Sequence, residues 1–274
     1  MQPSNTAATA FDAIAADFDL RFGQWLSVAA QRRAVRRVLL KTLPPAGRIL
    51  ELGGGTGEDA AFLAARGYDI LLTDPSPAMV ALAQSKLAPF CGHAEVAAAE
   101  EMESFAARYF SAGGEQFDGV FSNFAPLNCV VDLEPVARGL ARLLKPGASA
   151  LLVLFGTFCP GEIVTELLNG RPRQALRRRK RGAVAARLAG REFNIIYHRH
   201  AVLQWAFEPW FVLKERIGIG IAVPPSAAEP WISAHPRLLS VMENLDLNLA
   251  RPFAPLGDHV LYHFRRNTAP STIE

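Results

Sequence analysis

The chain has 274 residues, half of them hydrophobic and one in five charged, so a packed core is expected, as one large domain or a domain with elaborations. Lysine and arginine total 29 against 26 aspartate and glutamate, a net charge of +3 that is too small to argue for a nucleic-acid partner. No apolar run reaches the ~20 residues of a membrane-crossing helix, and the three cysteines (Cys91, Cys129, Cys159) lack a C-x-x-C pair, which points to free thiols in a reducing compartment rather than to disulfides or a metal site.

Met1-Gln2-Pro3-Ser4-Asn5 lacks the basic and apolar regions of a secretory signal, so a cytoplasmic location is expected. The first ten residues and the last seven are small or polar and are expected to fray. From 10 to 43 the pattern is helical: Phe11 to Asp19, then a run with Arg32, Arg33, Arg36 and Arg37 opposite Val35, Val38 and Leu39. A buried strand is expected at 47–52. It carries Glu51 near its end and leads into Gly53, Gly54, Gly55 and Gly57, then into a helix from Glu58. Glycines let the backbone turn sharply and approach a ligand, and a helix start offers unpaired N–H groups. Strands follow at 69–73, 94–98, 117–122 and 149–155, with helices between them as parallel βαβ units require. Beyond Phe155 the pattern loosens. Residues 157–193 are mixed and basic, Asn194–Tyr197 reads as a short strand and Ala201–Phe207 as a helix. Trp210–Glu215 and Val260–Phe264 read as the last two strands, separated by a Pro-rich insert at 222–257.

Three motifs sharpen this pattern. Glu51 to Gly57 has the form E-x-G-x-G-x-G. The second strand ends in Asp74, about 20 residues beyond the glycines, and opens a D-x-S-x-x-M pattern through Pro75, Ser76 and Met79; by itself Asp74 would read as a turn or helix cap. Leu143-Leu144-Lys145-Pro146-Gly147 precedes the fifth strand. On these motifs the chain resembles the class I S-adenosylmethionine (SAM)-dependent methyltransferases over roughly residues 11 to 156. The resemblance implies an α/β, doubly wound, mostly parallel seven-stranded sheet of Rossmann-like type with an antiparallel last strand. Residues 1–274 would then be a single domain, with helices at 10–43 covering the cofactor and acceptor-lid insertions at 157–200 and 222–257.

The resemblance also implies SAM as cofactor and assigns contacts to it. Gly53, Gly55 and Gly57 would let the backbone approach the methionine and ribose, Glu51 would orient the ammonium, and Asp74 would accept from the ribose hydroxyls. Pro75, Ser76, Met79 and Asn123 would complete the cradle. Phe18 stands where the family often has a Tyr over the cofactor, so a hydroxyl contact is not available there; ordinary packing explains Phe18 nearly as well. No Asp occupies the usual adenine slot, which Glu100 or Glu101 could fill, although a solvated helix start explains both equally.

Methyl transfer needs alignment of the acceptor and exclusion of water, and a base only where the acceptor is a poor nucleophile. Histidine suits that role at neutral pH, so His259, beside Asp258 at the start of the last strand, is favoured, with His198 and His200 next; His235 is a more distant candidate. Asn123 and Asn128 could position an acceptor. Phe158, Phe193, Trp205, Trp210, Phe211, Trp231 and Phe253 suggest an apolar pocket in the lid. Arg171 to Arg191 forms a basic run that reads first as a solvated helix face, and second as a grip for an anionic acceptor, lipid headgroups or RNA. The expected activity is therefore methyl transfer to oxygen, nitrogen or carbon of a small hydrophobic or lipid-like acceptor, with peripheral membrane contact left open. The alternatives are an RNA- or protein-modifying methyltransferase and a non-catalytic SAM-binding protein.

Overall fold

The computed structural model describes residues 6–268; residues 1–5 and 269–274, part of the termini expected to fray, lie outside it. Chain order is α1 (Thr6–Asp12), α2 (Ala15–Phe22), α3 (Leu26–Thr42), β1 (Arg48–Leu52), α4 (Glu58–Ala64), β2 (Asp69–Asp74), α5 (Pro77–Leu87), β3 (Gly92–Val96), α6 (Met102–Ser111), β4 (Phe117–Ser122), α7 (Glu134–Leu143) and β5 (Leu144–Phe155). There follow α8 (Pro160–Leu168), α9 (Pro172–Ala175), β6 (Ala183–Leu188), β7 (Arg191–Ile196), α10 (His200–Phe207), β8 (Phe211–Ile219), α11 (Glu229–Ala234), α12 (Pro236–Leu249) and β9 (His259–Arg266).

Seven strands form one sheet in the order β3-β2-β1-β4-β5-β9-β8. The first five are mutually parallel, and β9 runs antiparallel to both β5 and β8. The strand interiors are continuous apolar runs because both faces are covered. Along β1, Leu50 and Leu52 pack on the side of α6, α7 and α10, with Phe105, Leu140 and Phe207. Ile49 points the other way, to Val35 and Leu39 of α3 and to Leu63 and Ala83 of α4 and α5. Strand order reverses between β1 and β4, and the carboxyl ends beside that point face one edge, where ligands of such sheets bind.

Three expectations need correction. Residues 6–10 do not fray: they belong to α1, whose Ala7 and Ala10 are buried and whose Phe11 ring lies 5.8 Å from that of Phe193. The short strand near 194 has a partner: β6 and β7 form a separate antiparallel hairpin, with Leu188 opposite Arg191 across a two-residue turn. Ala189 and Gly190 both take left-handed φ there (+49° and +78°), as a tight hairpin turn demands. The basic run is not one solvated helix face. It is divided among α9, a 3-10 turn (Arg177–Arg179) and β6, and Arg178 is only 5% exposed.

The insert before β9 docks on the amino end of α3 rather than hanging free. Val223, Ile232 and Leu239 close over Ala30, and the buried Glu229 carboxylate accepts from the backbone N–H of Leu26 (2.7 Å) and Ser27 (3.1 Å) and from the Ser27 hydroxyl. A residue some 200 positions away thus caps a helix whose own N-cap, Trp25, offers no acceptor. No helix among the described residues is long and apolar enough to cross a membrane. Glu229→Ala should destabilise the protein by about 2 kcal/mol, read as a Tm lower by roughly 4–8 °C in a thermal melt.

Candidate active site

The loop after β1 brings the acidic and glycine residues together. Gly53 and Gly55 have left-handed φ (+63° and +54°). A Cβ on Gly53 would meet Pro126 Cβ at 2.4 Å, so this glycine is required by the neighbouring loop. A Cβ on Gly55 would meet nothing within 4 Å, so that is the open, ligand-facing point of the turn. Gly57 closes the loop against Ala83.

Asp74, at the end of β2, reaches across to this loop. Its Oδ2 accepts from Gly55 N–H and its Oδ1 from Ser76 N–H, both at 2.9 Å. Burial pushes its pKa up to about 6, and nearby Asp12 adds to the rise, while the two N–H donors oppose it. Ser76 caps α5, its Oγ accepting from Met79 N–H at 3.2 Å, and Pro77 opens that helix. Met79 is fully buried and Pro75 half-buried.

Glu51 is 2% exposed and its Oε2 has no hydrogen-bond partner among the described residues. Burial raises its pKa well above the usual range, and Asp59 and Asp74 raise it further against the pull of Arg32 and Arg36. A buried carboxylate oxygen without a donor fits a ligand that brings one. Asp59, on the first turn of α4, is held by Arg32 (2.8 Å), Arg36 (2.6 Å) and Asn123 Nδ2 (2.8 Å). The arginines on this side of α3 therefore face the glycine loop.

The two amino-terminal helices lie over the same loop. Asp12 accepts from Ser76 Oγ and from Ala78 N–H (3.0 Å), which holds its own pKa below the ordinary value. Asp19 accepts from Thr56 Oγ1 at 2.6 Å and pairs with Lys86 at 2.5 Å. Phe18 is half-buried between Phe11 (6.2 Å) and Phe22 (4.9 Å). Glu100 and Glu101 both lie exposed just past β3, and Glu101 Oε2 accepts from Ala98 N–H at 3.4 Å.

A second half of the site lies beyond β4 and β5. Phe124 and Ala125 both have left-handed φ (+57° and +64°), a strained pair that turns the Phe124 ring under Arg32 (4.7 Å) and edge-on to His259 (6.0 Å). His259 sits in register with Phe155, stacks on its ring at 4.7 Å and places Nδ1 3.3 Å from Asp258 Oδ2. Burial raises the Asp258 pKa, but His259 and Arg178 outweigh it and leave this carboxyl well below the normal range. Arg178 Nη2 pairs with Asp258 Oδ1 at 2.5 Å and with Glu162, which also holds Arg177 at 2.9 Å.

The other sequence candidates have separate surroundings. His198 is buried with Nε2 2.9 Å from Val130 O, and burial lowers its pKa. His200 stacks on Tyr262 at 5.8 Å, below the edge, and its buried Nδ1 has no partner among the described residues. His235 stacks on Trp231, away from this edge among the helices before β9. Asn128 ties two elements of the site: Nδ2 donates to Ile196 O (2.5 Å) and Oδ1 accepts from Phe155 N–H (3.0 Å). Of the lid aromatics, Phe158 lines a cavity of about 490 Å³ beside Tyr197. Trp205, Trp231 and Phe253 are largely exposed, and Phe211 is core. Sequence reading passed over Asp59, Phe124, Phe155 and Glu162. Only Asp59 carried a signal, as one of two acids directly after the glycines.

Residues 49–147 match the family described as "Methyltransferase domain". The ubiquinone/menaquinone biosynthesis C-methyltransferase UbiE of Rubrivivax gelatinosus is 31% identical over 148 residues, 54% of this chain and 55% of that protein. Residues 49–147 are thus similar to a methyltransferase domain, and the chain around them has the fold of SAM-dependent methyltransferases. The chain spans only about half the length of that curated relative. The CcbJ methyltransferase of Streptomyces caelestis shares the fold of the methyltransferase domain at 16% identity and a TM-score of 0.59, over 94% of this chain and 98% of that one. A SAM-dependent methyltransferase of Mesorhizobium loti does so at 19% and 0.53, over 86% and 98%. SAM is the cosubstrate of such a domain, and the unpartnered Glu51 oxygen, the open face of Gly55 and the carboxylate of Asp74 fit it.

If Asp74 accepts from the ribose hydroxyls, as the sequence motif leads one to expect, protonating it removes that acceptor and affinity should follow its ionised fraction. By calorimetry, SAM binding should weaken roughly tenfold from pH 7 to pH 5, with the bend near the Asp74 pKa of about 6. Asp74→Ala should cost about a hundredfold in affinity at pH 7.5; unchanged binding would remove Asp74 from the cofactor site.

Proposed function

We propose that the protein transfers the methyl group of SAM to an oxygen, nitrogen or carbon of a small acceptor with a hydrophobic body, and that His259 is the base where a proton must leave. The observation that supports this is the row of rings beyond the cofactor loop: Phe124, His259, Phe155 and Tyr197 stand at successive centroid distances of 6.0, 4.7 and 5.9 Å. Such a wall suits a flat or apolar body and keeps water from the transfer point.

SAM supplies an electrophilic methyl group on a positively charged sulfur. Glu51 and Asp74 orient its ammonium and ribose, and α1 and α2 close over it. Asp258 holds the Nδ1 side of His259, which leaves Nε2 as the nitrogen that takes a proton from an acceptor hydroxyl. With an acceptor that is already nucleophilic, the same ring only packs. The name of the UbiE relative, a C-methyltransferase of quinone biosynthesis, is compatible with a ring-shaped acceptor. His198, whose Nε2 already faces Val130 O, and His200, against Tyr262, are the weaker choices for the base. An RNA- or protein-modifying role draws less support, because Arg177 and Arg178 of the basic run are already paired with carboxylates.

His259→Ala should lower turnover of a hydroxyl acceptor by about 10²–10⁴-fold with SAM affinity retained. Incubation with methyl-labelled SAM and cell extract should place label in the small-molecule or organic-soluble fraction; label confined to RNA or protein would overturn the acceptor class.

A further inference from the structure

We infer that the acceptor carries an anionic oxygen group, a carboxylate or a phosphate, seated on Arg179, Lys180 and Arg199. The inference rests on the small-molecule reading above and adds the charge of the substrate. The three cations line the cavity of about 490 Å³ together with Arg178, Tyr197 and Phe158. All three are exposed at its rim, and none pairs with a carboxylate among the described residues.

The local charges do not cancel. Glu162 and Asp258 are the carboxylates of this corner, and Arg177 and Arg178 already occupy them. Arg179, Lys180 and Arg199 then remain as an unmatched positive cluster around a concave space rather than on a convex surface. Concave clusters focus field on a ligand in a way that a solvated helix face does not. Two of the three are arginines, whose planar forks suit two-oxygen anions.

The floor is built. Arg178 donates to Asp258 O at 2.6 Å and to Gly156 O at 3.2 Å, and its guanidinium lies 5.3 Å from the Phe155 ring centre and 5.8 Å from that of Tyr197. Tyr197 is buried against this floor, and burial raises its pKa, so it faces the cavity as a neutral phenol. The cavity is therefore joined to the transfer site through one ring, Phe155, which touches Tyr197 on one side and His259 on the other. An acceptor with its anionic end on the cations would lay its apolar body along Phe155 and present its far end to His259 and the cofactor.

The test uses the full chain and the variant Arg179→Gln/Lys180→Gln/Arg199→Gln, in which only exposed side chains change. Phenyl phosphate and benzoate should bind the wild type in the presence of SAM at least tenfold more tightly than phenol, which has the same ring without the anionic group. The triple variant should lose that preference while its SAM affinity stays within twofold. Equal binding of phenol and the anionic probes, or a preference kept in the variant, would overturn the inference. In the labelled extract, a small-molecule product retained on anion-exchange resin supports both readings. A neutral labelled small molecule leaves the function standing and overturns the anionic acceptor, whereas label in RNA or protein overturns both.

Discussion

Arg178 is the group on which the part of the site beyond β4 and β5 depends. Its guanidinium is nearly sealed from water, at 5% exposure, and is shared by Glu162 of α8 and Asp258 before β9. It also donates to the carbonyls of Gly156 and Asp258. One side chain therefore ties together the end of β5, helix α8, the basic turn and the start of β9. Such a cluster is tolerable only when complete: removing one member of a buried charge set leaves an uncompensated ion and typically costs about 3–5 kcal/mol. The consequence reaches both neighbours of Asp258. Its Oδ2 accepts from Gln31 Nε2 of α3 at 2.9 Å and faces His259, so the proposed base is oriented by a charge cluster that it joins through Asp258 alone.

The site has an acidic side and a basic side. Glu51, Asp59, Asp74 and Asp12 gather around the glycine loop. Burial, Asp59 and Asp74 raise the pKa of Glu51 against the pull of Arg32 and Arg36, and burial and Asp12 raise that of Asp74 against the Ser76 and Gly55 N–H donors. A ligand with an ammonium and a sulfonium would relieve both effects. Across the ring wall the imbalance reverses, with cations in excess around Tyr197 and Phe158. Two ligands of opposite charge would meet between these regions, each placed by its remote end. That is how binding energy far from the reacting atoms aligns them.

The parts that were legible in the sequence are those encoded by adjacent residues. Glycines in a row after a buried strand, an acid at a strand end before Ser and Pro, and apolar runs of strand length each carry their physical reason within about ten positions. Those signals led to the sheet, the cofactor loop and the edge on which His259 lies. The other half was hidden because its partners are remote: Arg178 finds Asp258 80 residues away, and Glu229 caps α3 across 203. A row of arginines looks the same locally whether water or a buried carboxylate waits for it. The hairpin partner of 191–196 was missed for a related reason, since β6 is small and exposed at alternate positions and its turn begins with an ordinary Ala189.

The left-handed pair Phe124–Ala125 shows how the two halves are mechanically joined. Non-glycine residues in that region cost about 1–3 kcal/mol each, so the turn persists only if its surroundings fix it. Asn123 does so from within, accepting from Phe124 N–H at 2.8 Å while donating to Asp59. Pro126 does so from the other end, packed where a side chain on Gly53 would have to be. The strained turn and the cofactor loop therefore exclude each other's alternatives: Gly53 must remain a glycine for Pro126 to sit there, and Pro126 must sit there for Phe124 to face His259. The first glycine of the motif thus also helps to fix the turn that carries Phe124, and a side chain at Gly53 would press on that turn through Pro126.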